Sequence, residues 1–523
     1  MRGMMRKLIL VMTALFFFGV ISAQAKDIYI AQSASGSANG TSCANAHASA
    51  FFNTAGNWGS GTNQIGPGTT LHLCGTFSSN LQFQGDGTSG NPITLFAESG
   101  ANFTAPTWTT GVIQTDGHSY LILDGGTNGV IQATNNGTSL TYQEGFSGIS
   151  MSPCGHDVEI RNWTIQNIFQ RTSGSTDTTS GGSQSTSGIW GGTVCGSNIS
   201  IHNNTVSYAH TGIGLTSSGS PSNWSVYHNT VTQECWGINL SAANSSASIS
   251  GLYVYGNEVN MGPAWYDPAD AFHMDGIFIY GQGGGVNISN IFIYDNYLHG
   301  TFGGGHVTAQ IYINQNLQNL YVFNNLFDAT AQGGVADGLF YFGYGTATAG
   351  IYNNTFLGGS GTTGGIAIES VSTVTGMSSL NNVIQNFQGA YYLPSPVTVT
   401  SIDHGLDYNI TGTGTSAAYY LNGSGKNTFA QWQSAGYDTH GSSGNPNVTT
   451  SGYLNAGSPA IGLGTNLYSI CNGQPNPGLG ALCFDKNGIA RPASGNWDAG
   501  AFNYGSVSSG AVQPPTGLTA TVQ

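Results

Sequence analysis

The chain has 523 residues, with 80 glycines, 11% aromatics and only 6% charged side chains. Glycine at roughly twice its average usage without a strict three-residue period excludes collagen, and the aromatic content excludes a disordered linker. Nine basic residues stand against 23 acids, too few Lys and Arg to neutralise a phosphate backbone, so nucleic-acid binding is excluded as a main activity.

At the N-terminus, Arg2, Arg6 and Lys7 precede an apolar run from Leu8 to Ile21 and the small-residue stretch Ala23-Gln24-Ala25. This is the three-part pattern of a secretory signal peptide, so residues 1–25 are expected to be removed and the product to be secreted or held at the cell surface. The mature chain then carries six basic residues against 23 acids, a formal charge of −17. Such a surface repels polyanions, which counts against pectin, alginate and other acidic polysaccharides as substrates. No later stretch reaches the roughly 18–20 apolar residues of a membrane span. Seven cysteines in an exported chain permit disulfides with one thiol left over. Cys43 and Cys74 are candidates, and Cys471 and Cys483 flank a Gly/Pro loop and are expected to pair.

From residue 136 to 412 an internal repeat dominates. Short segments such as "HNNTV", "YHNTV", "YGNEV", "YDNYL", "FNNLF" and "YNNTF" place an asparagine at positions 162, 204, 229, 257, 296, 325, 354, 382 and 409, and six of the eight steps fall between 25 and 29 residues. A second motif, Gly-Φ-x-Φ with Φ apolar, recurs once per unit at Gly148, Gly188, Gly212, Gly237, Gly276, Gly338 and Gly365. No segment sustains an apolar period of 3.6, so each unit holds short alternating strands without a helix. Units of this kind cannot bury a face alone and must stack. The expected architecture is all-β, a parallel β-helix of roughly 28-residue coils, with the repeated Asn as an internal ladder. Cys154 and Cys195, eight and nine residues before Asn162 and Asn204, then fall on adjacent coils at nearly one height and are expected to bond.

The stretches "GTTLHLCGTF" and "YLILDGG" near the N-terminus, the Asn rungs, and "LNAGSPAIGLG" and "GIARPASGNWDAGAF" near the C-terminus together resemble secreted right-handed parallel β-helix proteins of the pectate-lyase-like superfamily. The resemblance covers nearly the whole mature chain and implies the fold. It leaves function open among lyases, hydrolases, epimerases and non-catalytic surface proteins. The expected organisation is an N-terminal cap and opening coils over 26–135, regular coils over 136–412, a C-terminal coil and cap region over 413–504, and a flexible tail or linker over 505–523.

The densest chemistry lies in "DPADAFHMDGIFIYG", residues 267–281. Aligned on glycine, Asp275 and Asp337 occupy one column two coils apart, about 10 Å by the inter-strand spacing, near the carboxyl separation of an inverting glycosidase. His273 and His306 are the candidate tuning groups. Trp265, Tyr266, Asp267, Asp270 and Tyr280 are the candidate sugar contacts. "HMDGIFIYG" also resembles the "NTDGI" rung of polygalacturonase-type hydrolases, which implies a catalytic role for Asp275. That family's following Asp-Asp pair and Arg-x-Lys clamp are absent here. The plainer alternative is that Asp-Gly is a turn pair, the Asp bonding its own backbone and the Gly accepting positive φ. No cofactor is expected. Asp267, Asp270 and Asp275 offer oxygen ligands to Ca²⁺, though their spacing is not an EF-hand loop. Two functions follow: a polysaccharide-degrading enzyme, glycoside hydrolase-like with a polysaccharide lyase as the further variant, or a non-catalytic rod that binds cell-surface glycan.

Overall fold

The computed structural model describes residues 26–137, 140–169, 186–262, 274–281, 287–300, 307–331, 338–359 and 365–506. Their strands form three long sheets of 14, 12 and 13 members. One coil shows the path. Trp236–Ala242 lies in the 13-stranded sheet, Ser248–Tyr255 in the 14-stranded sheet and Glu258–Met261 in the 12-stranded sheet, and the next coil begins with Met274–Gly281. Each strand pairs in parallel with its counterparts one coil before and after. The protein is thus a right-handed parallel β-helix, the hand that parallel crossovers take almost without exception. Lys26–Ala31 already belongs to the 14-stranded sheet.

Alternation puts every second side chain inside, where like stacks on like. Ile201, Val226, Val254, Ile293, Val322 and Ile351 follow one another in register and none is more than 1% exposed. Removing this surface from water is the main drive for stacking. A second stack, Tyr227, Tyr255, Tyr294 and Phe323, runs along the outer corner with ring centroids 4.8 Å apart and planes within 3°.

The Asn ladder is present from Asn204 to Asn382 through Asn229, Asn257, Asn296, Asn325 and Asn354. Each side-chain oxygen accepts from the backbone N–H and Nδ2 of the preceding rung at 2.9–3.1 Å. Asn162 and Asn409 are not in it. Trp163 takes the rung before Asn204, and Asn162, at φ 63°, turns outward to Asp124. Asn409 bonds Asn386 at the next corner. In both cases a neighbouring asparagine with left-handed backbone imitates the motif by one or a few residues. With Trp163 as the rung, Cys154 and Cys195 both stand nine residues before it on their coils, and they are bonded. Cys43–Cys74 and Cys471–Cys483 are bonded as well. Cys235 carries no disulfide and is buried.

After the last coil the chain turns back along the corner between the 14- and 12-stranded sheets. Here a column of left-handed residues, Asp295, Asn324, Asn353, Asn381 and His404, at φ 51–60°, precedes the ladder. Asn324, Asn353 and Asn381 donate Nδ2 to the carbonyls of Phe484, Asp498 and Thr465. Arg491, only 3% exposed, donates to Asn324 Oδ1 and Asn503 Oδ1. No helix among the described residues is long and apolar enough to cross a membrane.

Candidate functional site

Where the returning segment meets the coils it walls a groove of about 600 Å³. One side carries His228, Glu258, Asp295, Tyr297 and Leu326 from successive coils, and the other carries Tyr453, Lys486, Asn487 and Phe502. Glu258 opens its strand directly after ladder residue Asn257, and Tyr297 is its register partner one coil on. Asp295 sits immediately before ladder residue Asn296, in the left-handed column. The ladder therefore fixes the backbones of these two residues on consecutive coils, one inter-strand spacing of about 4.8 Å apart along the axis.

Their surroundings pull the two acids in opposite directions. His299 Nε2 donates to Glu258 Oε1 at 3.0 Å, and this bond holds the Glu258 carboxyl below its ordinary range. Asp295 is pushed up to about 8 by burial, against the opposing pull of Lys486. Its Oδ1 is buried with no hydrogen-bond partner among the described residues. Lys486 Nζ donates to the Asp295 main-chain carbonyl, and burial lowers Lys486 to about 8. Two acidic residues thus line one groove, Glu258 held below its ordinary range by His299 and Asp295 pushed above it by burial. Tyr297 stacks on His299 at 4.0 Å and donates to Asp328 Oδ2. Tyr453 lies against Phe502 at 4.2 Å.

The sequence-predicted site lies elsewhere. Asp275 is wholly buried in Met274–Gly281, its N–H donates to the Cys235 carbonyl at 3.0 Å, and its register partners are Trp236 and Ala309. Ile277, Ile311 and Phe340 share one column, so the alignment of Gly276 with Gly338, which would put Ile277 opposite Leu339, is one residue out of register. Such a slip exchanges the two faces of a strand. Asp337, His273, His306, Trp265, Tyr266, Asp267 and Asp270 lie outside the described residues. Tyr280 is half-buried and pairs with Ser241 and Asn314. Beside it Phe278, Tyr312 and Tyr341 stack at 5.0 and 5.2 Å. One residue missed by sequence reasoning stands two before the register partner of Asp275. Glu234 is wholly buried, accepts the Ala209 N–H at 2.6 Å, and is pushed well above its ordinary range by burial.

Sequence reasoning also missed the groove. A signal existed in "YGNEV" and "YDNYL", where an acid adjoins the rung Asn on either side, but nothing marked Lys486, 191 residues from Asp295. Of the two cations in the repeat region, Arg161 bonds Asp124 and Glu159 and is used structurally, and Arg171 lies outside the described residues.

No protein-family profile matches the chain, and no curated protein matches its sequence. Among solved structures, the chain is similar to the pectate lyase Pel9A (14% identity, TM-score 0.32, covering 92% of this chain and 98% of the other). It is also similar to XylC, solved in complex with xylose (8%, TM-score 0.44, 91% and 98%). A third is the Streptococcus pneumoniae surface protein and adhesin PfbA (12%, TM-score 0.32, 69% and 92%). All three likenesses are distant and identify no activity.

Proposed function

We propose that this protein is an exported, carbohydrate-active β-helix protein that hydrolyses a neutral polysaccharide in the groove between the coils and the returning C-terminal segment. Asp295 serves as general acid toward the leaving oxygen and Glu258 as the ionised carboxylate, with Tyr297, Tyr453 and Phe502 as apolar faces for sugar rings. The observation that carries this reading is the opposite tuning of Glu258 and Asp295 within one open groove. The mature charge of −17 and the engagement of Lys486 by Asp295 leave little to attract a uronate.

The test is a reducing-end assay with 235 nm absorbance on neutral and acidic polysaccharides, comparing the mature protein with Glu258→Gln, Asp295→Asn and Asp275→Asn. New reducing ends without absorbance, lost in the first two variants and kept in the third, support the groove. Loss only in Asp275→Asn moves the site to the strand edge. There the second reading, Asp275 as the acting carboxyl, draws support from Glu234, which burial pushes well above its ordinary range and which stands two residues before the register partner of Asp275. Absorbance at 235 nm means a lyase. Retention on a glycan column without turnover means the binding rod.

A further inference from the structure

The last coil and the turn after the C-terminal helix bring together three side chains that neither site uses. Asp403 ends the strand Val397–Asp403 and His404 follows it in the left-handed column. His440 lies in the turn after the helix Phe429–Ser434. One ligand atom from each of the three lies within 4.8 Å of the others.

The hydrogen bonds around them resemble those that prepare histidine for a metal. His404 Nδ1 donates to the Leu463 carbonyl at 2.8 Å, which puts the proton on Nδ1 and leaves the Nε2 lone pair available. His440 Nδ1 lies 2.7 Å from Asp403 Oδ2, so these two atoms share a proton that a metal ion would displace. Asp403 Oδ1 accepts the backbone N–H groups of His404 and His440, each at 2.9 Å, so the carboxylate is locked in place. The rings lie parallel within 12°, with centroids 5.0 Å apart. A second imidazole nitrogen bonded to a carbonyl or carboxylate is the usual support of a metal-bound histidine.

We infer that Asp403, His404 and His440 form a site for a late first-row divalent metal ion, Zn²⁺ foremost, that staples the last coil to the C-terminal cap. Imidazole nitrogen with a carboxylate suits Zn²⁺, Ni²⁺ or Cu²⁺ and not the all-oxygen shells of Ca²⁺ or Mg²⁺. Tetrahedral Zn²⁺ needs its ligand atoms about 3.3 Å apart for Zn–N bonds of about 2.0–2.1 Å. The closing movement falls to His440, whose side chain is 67% exposed. His404 is fixed from behind by Leu463, so the ion joins three stretches of chain: 403–404, 440 and, through that bond, 463. The acidic surface raises the local concentration of any dication.

The experiment uses untagged mature protein stripped with a chelator and titrated with Zn²⁺ by calorimetry, with Cu²⁺ electron paramagnetic resonance on the same sample. Expected are one saturable equivalent, nitrogen hyperfine structure from imidazole, and a melting temperature that rises with Zn²⁺. His404→Ala and His440→Ala should each weaken binding by about tenfold or more. His118→Ala, a control at a His–Asp pair that lacks a second imidazole, should bind as the parent does. Circular dichroism in chelator checks that each variant folds, and exposed His440 is the substitution least able to perturb the fold. Absence of saturable binding overturns the site. So does binding that His440→Ala leaves unchanged, or Ca²⁺ competing as well as Zn²⁺.

Discussion

Surroundings shift Glu258 and Asp295 in opposite directions: Glu258 has a histidine donor, and Asp295 is buried with its Oδ1 lacking a hydrogen-bond partner among the described residues. If they act as base and acid, activity should hold from below the ordinary Glu range up to about pH 8, where Asp295 loses its proton. Lys486 pulls Asp295 down, so Lys486→Met should shift the alkaline limb of the kcat profile upward. Glu258→Gln and Asp295→Asn should each lower kcat by about 10²–10⁴-fold, the range of general acid–base catalysis. Glu234 permits a prediction that needs no substrate. Its folded pKa lies well above the unfolded value of 4.5, so its contribution is full below that value and is lost as pH rises through the folded pKa. Glu234→Gln should therefore melt higher than the parent at pH 7–8 and equally near pH 4, as read by thermal denaturation.

The ladder asparagines are the elements whose loss should be felt most. Asn296 is wholly buried; it donates to Val254 O and Asn325 Oδ1 and accepts two bonds from Asn257. Asn296→Ala leaves donors and acceptors of two coils unsatisfied, at about 1–3 kcal/mol for each such group. A loss of several kcal/mol by denaturant titration is expected, along with loss of groove activity, since the same rung places Asp295. Opening Cys154–Cys195, which closes 41 residues, should cost about 4 kcal/mol on the chain-entropy scale. The rungs were readable in sequence because a buried amide ladder demands the same residue at every coil. The motif misled at Asn162 and Asn409 because the left-handed corner positions beside the ladder favour the same residue.

For the molecule as a whole, the returning segment both caps the corner and builds the groove. Arg491→Ala should destabilise the protein by about 2–4 kcal/mol, because Asn324 Oδ1 and Asn503 Oδ1 lose their charged donor. Reducing-end activity should fall with it, since Lys486, Asn487 and Phe502 hold the outer wall.

Composition, the period of about 28 residues and the Gly-Φ-x-Φ rungs determined the coil, its strand content, the disulfide across adjacent coils and the inward apolar stacks. Each depends on residues near in sequence or one period apart, and a repeat exposes such relations directly. Only the tertiary structure decided that Ile277 aligns with Phe340 and not with Leu339, because parallel register is set by bulges and side-chain fit rather than by matching glycines. It alone brought Lys486 to Asp295 and His440 to Asp403, because chain reversal joins residues whose separation follows no period.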